Sequence, residues 1–229
     1  VQIADRQLNE LGDAVAALRM AEEILALDNG EADACRLLEQ IAAKLAPGGR
    51  VLIQVPDVLR NPFDLAVIDH ASHFGVAQLL HVCARAGLLV ALDGRQWPHN
   101  CLTLLLECGE PANLEVEENP RWVFAWLRTA VASIGREIDN GPFAIFGTGM
   151  AGRWLAGQFE RPPTCFVDED GARAGRKVAG TPIVSPQELD PSLPVVMSFA
   201  THAATTIARR LAGTYPSLTR TRFIIAPSS

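Results

Sequence analysis

The chain has 229 residues, 48% hydrophobic and 20% charged, with a net charge of −6, the profile of an ordered globular protein rather than a disordered one. That acidic balance excludes a nucleic-acid-coating surface, and no apolar run reaches the roughly 18 residues a bilayer span needs. The five cysteines form no Cys-x-x-Cys pair. They read as reduced, buried thiols of a cytoplasmic protein and not as a metal framework.

Residues 1–30 admit two readings. Ala14, Val15, Leu18, Ala21 and Leu25 fit one amphipathic helix ended at Gly30; a family resemblance implies instead a short strand, Asp13–Ala17, followed by an acidic turn, Met20–Ile24. Beyond them the pattern sharpens. Ala34, Leu37, Leu38, Ile41 and Leu45 recur at helical spacing, with Lys44 in the last turn where a cation suits the helix dipole. Pro47 cannot continue that helix, and Gly48-Gly49 permit a tight reversal. Val51–Val55 then reads as a buried strand that Pro56-Asp57 ends. Ligands of open α/β sheets lie beyond the carboxyl ends of strands, and Asp57 stands at such an end.

Asn61-Pro62 marks a turn, and a helix is expected over Val76–Ala86 with Leu79, Leu80, Val82 and Cys83 on its apolar face. Gly87 should end that helix and open a strand; a further strand is expected over Trp97–Leu106. Gly109–Glu118 turns polar, acidic and Pro-containing, so a domain junction is expected there. Asn119-Pro120 supplies an N-cap and a first-turn proline. The helix they start carries Val123, Trp126, Leu127, Ala130 and Ile134 on one stripe, either against a neighbouring domain or as ordinary core.

From Phe143 a nucleotide-type unit begins. Phe143–Phe146 reads as a strand, Gly147-Thr-Gly-Met-Ala-Gly152 as the turn opening a helix over Arg153–Phe159, and Cys165–Val167 as the next strand, closed by Asp168. Gly147, Gly149 and Gly152 would allow the turn and the approach of a phosphate, and Asp168 would accept from ribose hydroxyls. A nucleotide or NAD(P) is the cofactor this turn suggests. Ser185–Glu188 reads as a capping box starting a helix. Pro194–Phe199 and Arg222–Ile225 read as strands around a helix over His202–Leu211, about four strands in all.

The stretch Leu45–Asp57 (helix, Pro-Gly-Gly, strand, Pro-Asp) resembles a class I methyltransferase, dependent on S-adenosyl-L-methionine (SAM), entering its fifth strand. Phe63–Phe74 resembles a loop of sugar C-methyltransferases: Phe63, Asp64, His70, Ser72 and Phe74 match, whereas Val67 replaces a tyrosine, Asp69 a glutamate and His73 an aromatic residue. Pro98-His99-Asn100 departs from the family's His-Gly-Gly turn. The resemblance implies an α/β protein: the C-terminal portion of a class I methyltransferase sheet (residues 1–112, SAM loop absent), a connecting helix (113–141), and a small Rossmann-like α/β/α domain (142–229).

It also implies SAM-dependent methyl transfer to a small molecule, with a sugar nucleotide as the leading candidate. His70 would be the general base and Asp69 its neighbouring carboxylate; Asp57, His73 and His99 would contact substrate. A metal held by His70, His73 and Asp69 is set aside for want of further ligands. Residues 1–44 contain no Gly-x-Gly, so the chain is expected to be a fragment or to have lost its cofactor half. The competing reading is a non-catalytic nucleotide-binding module, or a structural partner of a methyltransferase. No nucleic-acid or membrane partner is expected, and a homodimer is a compatible assembly.

Overall fold

The computed structural model describes residues 2–4, 30–67, 70, 72–94, 100–109, 121–139 and 141–227. They form an α/β protein of two compact units. The first comprises residues 1–64 and 69–120, the second residues 65–68 and 121–229. Helix Arg121–Ile138, expected as a connector, is counted with the second unit. Among the described residues, no helix is long and apolar enough to cross a membrane.

The first unit holds strands β1 (Gln2–Ala4), β2 (Arg50–Pro56), β3 (Leu88–Asp93) and β4 (Cys101–Cys108), with helices α1 (Gly30–Lys44) and α2 (Val76–Arg85). The sheet order is β1-β2-β4-β3, and β4 runs antiparallel to both its neighbours. β1 also pairs antiparallel with β2, Ile3 opposite Ile53. The two readings offered for residues 5–29 lie outside the described residues. Gly48 at φ 75° makes the reversal after α1, and Gly87 at φ 72° ends α2, the left-handed conformation that closes helices.

Burial alternates along β2, with Val51, Ile53 and Val55 buried, and Leu102, Leu104 and Leu106 of β4 match them in the register. One face of the sheet thus joins Leu37, Leu38 and Ile41 of α1 and Leu79, Val82 and Cys83 of α2 in a single core. The opposite face is mixed: Gln54 Nε2 donates to Thr103 Oγ1 at 3.0 Å, and Arg50 pairs with Glu107. The strand expected at Trp97 is described from Cys101. Its alternation, a period of two, identifies a sheet with two unlike faces.

The second unit opens with α3 (Arg121–Ile138). Val123, Trp126, Leu127, Ala130 and Ile134 are buried, and Trp126 Nε1 donates to the Pro227 carbonyl at 2.9 Å. The tryptophan therefore ties the helix to the last residues of its own unit. Next come β5 (Ala144–Phe146), α4 (Met150–Ala156), β6 (Cys165–Val167), β7 (Lys177–Val178), β8 (Thr181–Val184), β9 (Val195–Met197), α5 (Thr201–Thr214) and β10 (Phe223–Ile224). The sheet order is β10-β9-β5-β6-β8-β7, parallel except for β7. This is Rossmann-like, with the chain stepping to either side of β5.

Three local expectations need correction. The helix after the glycine turn starts at Met150 and ends at Ala156, because Gly149 itself is the N-cap and Gly157 the C-cap. Six strands form where about four were expected, since Lys177–Val184 closes as a hairpin through Ala179 and Gly180, both at positive φ. Ser185–Glu188 makes half of its box, Glu188 Oε2 accepting from Ser185 N at 2.9 Å and from Ser185 Oγ at 2.8 Å, and it closes only a turn. Leu189 must be buried and Pro191 follows at once, so no helix propagates.

Candidate functional site

At the carboxyl end of β2 three chain segments meet. Asp57 bridges to Phe74 in parallel fashion, its amide donates to the Asn100 carbonyl at 3.0 Å, and Val58 N donates to Phe74 O at 3.0 Å. Asp57 is only 3% exposed. Its Oδ1 accepts from Leu59 N at 2.9 Å and its Oδ2 lies 3.4 Å from Arg60 Nε, while its carbonyl accepts from the amides of Arg60 and Asn61. A short polar side chain folded back on the backbone two residues ahead makes a tight turn. Asp57, expected to touch substrate, spends these bonds on building the loop.

That loop is pinned at both ends by aromatic residues, Phe63 and Phe74, each buried. Between them a 3-10 turn, Pro62–Ala66, starts on proline and places Asp64 in its first turn, with Asp64 N donating to Asn61 O at 2.9 Å. The Asp64 side chain is 3% exposed. Its Oδ1 lies 2.8 Å from His70 Nδ1 and its Oδ2 lies 2.9 Å from His73 Nδ1. The two imidazoles are partly exposed and their centroids stand 6.4 Å apart at 55°.

The residue that accompanies His70 is therefore Asp64. Asp69, expected in that role, lies outside the described residues, as does His99. Asp64 reaches His70 across a turn and a loop. Phe63-Asp64 was visible as a motif match, but nothing in the spacing of residues 64, 70 and 73 marks them as neighbours. Cys101 also borders this site: burial pushes its thiol up, and the charges of Asp57 and Asp64 add to the effect. It remains a protonated thiol at neutral pH and not a nucleophile.

Asp64, His70 and His73 are a set of residue types that could ligate a metal, with ligand atoms within 4.8 Å of one another. The distances decide against this in the geometry observed. Tetrahedral bonds of about 2.0–2.1 Å would separate ligand atoms by about 3.3 Å, but the two N···O separations are 2.8 and 2.9 Å. They are hydrogen bonds.

The glycine turn of the second unit is built differently. Gly147 sits at φ 102°, and a Cβ there would stand 2.6 Å from Ser198 Oγ and 3.3 Å from the Phe199 ring. A Cβ on Gly152 would stand 2.1 Å from the Gly147 carbonyl oxygen. Both glycines are thus required by packing. Gly149 faces open space. Ser198 Oγ donates to Phe146 O at 2.7 Å, so β9 and β5 close on each other at the point where the strand order reverses, the usual ligand crevice of such sheets.

Asp168 does close β6, but its carboxylate is engaged by its own unit. It accepts from the Thr148 hydroxyl, from Asp170 N at 3.0 Å and from Arg173 NH1 at 3.1 Å; that guanidinium also donates to Thr148 Oγ1 at 2.8 Å. Burial alone would raise the Asp168 carboxyl, yet the Thr148 hydroxyl, the Asp170 amide and Arg173 outweigh it and hold it below the usual carboxylate range. Arg153 Nε donates to Thr148 O at 3.0 Å, bracing the turn from the other side. Three of the carboxylate's acceptor positions are thus filled from within its own unit.

No protein-family model matches the chain, and no curated protein sequence matches it either.

Proposed function

We propose that the first unit supplies the acceptor side of a methyl-transfer site, with a small hydroxylated metabolite of the sugar-nucleotide kind as methyl acceptor and SAM as donor. The observation that carries the reading is the Asp64–His70 pair just beyond the carboxyl end of β2. Methyl transfer from a sulfonium is an in-line displacement, so the protein's task is to place the acceptor and remove its proton. A buried carboxylate that grips one nitrogen of an imidazole leaves the other free to take that proton, and then stabilises the resulting imidazolium. His70 is the base, and Asp64 is the positioning residue behind it.

Two further features support this reading. The order helix, Gly87, strand, strand expected from the resemblance to methyltransferases is the order of α2, β3 and β4. Asp57, Asp64, His70, His73 and Cys101 all gather on the side of the sheet edge where such folds hold ligands. No Gly-x-Gly occurs in residues 1–44. When bound, the donor would supply an activated methyl group; what this chain contributes is orientation and proton removal.

The test is transfer of labelled methyl from SAM by the full-length protein into a panel of nucleotide sugars and simpler hydroxylated acceptors. Replacing His70 with alanine should cost at least a hundredfold in kcat, the usual worth of a positioned base. Undiminished transfer by that variant would end the reading.

A further inference from the structure

Asp64 has two hydrogen-bonding partners, and the chemistry of a carboxylate fixes what both must be. An ionised carboxylate only accepts. Its Oδ1 is 2.8 Å from His70 Nδ1 and its Oδ2 is 2.9 Å from His73 Nδ1, so each Nδ1 must carry a proton. A neutral imidazole has one N–H only. In its neutral form each of these histidines is therefore an Nδ1–H tautomer with a lone pair on Nε2, on the ring edge remote from Asp64. One buried residue, 3% exposed, orients two rings that are themselves 36% and 26% exposed.

We propose that His73 contacts the substrate as a hydrogen-bond acceptor through Nε2, so that the site takes acceptors bearing a second O–H or N–H beside the reacting atom. This rests on the reading of His70 as the base. The two ring centroids stand 6.4 Å apart, a separation that a single small molecule can span. A substrate with one donor satisfies His70 and leaves His73 facing an apolar group; a substrate with two satisfies both. An unsatisfied polar atom at the contact is what discriminates against the first. Asp64 acts through both imidazoles and is a positioning residue for each.

Histidine-labelled full-length protein, read by long-range 1H–15N spectra, tests this without turnover. In the wild type both histidines should show a protonated Nδ1 and an unprotonated Nε2. Asp64→Asn, which offers one acceptor and one donor, should switch one of the two rings to the Nε2–H tautomer. Titration with cis-1,2-cyclohexanediol should move both Nε2 resonances, whereas cyclohexanol should move one. His73→Phe should weaken diol binding about five- to tenfold, the worth of one hydrogen bond, and leave cyclohexanol within twofold.

An Nε2–H tautomer at His73 in the wild type would overturn the proposal. So would a His73 resonance that stays still while the diol moves His70, or a failure of the diol to move either ring. If both resonances move but the wild type transfers no methyl group, the methyl-transfer reading has failed and not the contact at His73. If transfer depends on His70 while His73 is silent, the reverse holds.

Discussion

Each unit carries an aspartate just beyond a strand, and the two have opposite fates. Asp64 grips two imidazoles, rings whose second nitrogen remains available for chemistry. Asp168 grips a hydroxyl, an amide and a guanidinium, and a guanidinium offers donors only, with no proton to exchange at neutral pH. The first carboxylate ends in two reactive edges and the second in its own scaffold. The partners of a buried acid, more than the acid itself, decide whether its position is a site or a strut.

The sharpest way to break this contrast is to substitute the two acids in parallel. Asp64→Asn should lower methyl transfer by about 10²–10⁴-fold in kcat, because one imidazole is left in the wrong tautomer; steady-state kinetics with labelled donor measures it. Asp168→Asn should leave that rate within about twofold. A comparable loss from the second substitution would mean that the glycine turn takes part in the reaction.

Packing gives the next largest effect. Gly152→Ala drives a Cβ into the Gly147 carbonyl oxygen, a backbone atom that cannot swing away, and should destabilise the second unit by about 2–3 kcal/mol in denaturant titration. Gly149→Ala meets nothing and should cost under about 1 kcal/mol, the loss of a favourable N-cap. Equal effects from the two would contradict the view that the turn's glycines serve packing.

Acid should separate the units as well. Asp168 is held low by Thr148, Asp170 and Arg173 against the cost of burial, and Glu169 is held low chiefly by its hydrogen bond to Arg210. Folded, these groups release their protons at lower pH than in the unfolded chain. Their contribution is intact above about pH 5 and is lost as the pH falls through about 4 and below. Thermal unfolding of the second unit should show this loss, and Arg173→Ala should blunt it while costing less than about 1 kcal/mol at neutral pH, as the pair is half exposed.

Much of the fold was legible because it rests on local signals. Pro47-Gly48-Gly49 and Gly87 mark a turn and a helix end through backbone freedom alone, and the stripe from Leu37 to Ile41 shows helical period. The hairpin over Lys177–Val184 escaped notice because its strands are too short to show alternation. At the site, His70 stood out as a residue type in a motif. Asp64 matched the same motif, but its pairing with His70 was hidden, because the two meet through a 3-10 turn that lies between the buried Phe63 and Phe74, a tertiary effect with no spacing rule. At the glycine turn the pattern showed the turn itself, and the structure adds what the spacing could not: Gly147 lies against Ser198, and Arg173 reaches Thr148.

Methyl transfer should depend first on His70. Labelled methyl transfer by the full-length protein, compared between wild type, His70→Ala and His81→Ala, an exposed histidine on α2, tests it most directly. A loss of at least a hundredfold at His70, with His81→Ala unchanged, is the result expected of a base held by Asp64. Equal rates for all three would contradict it.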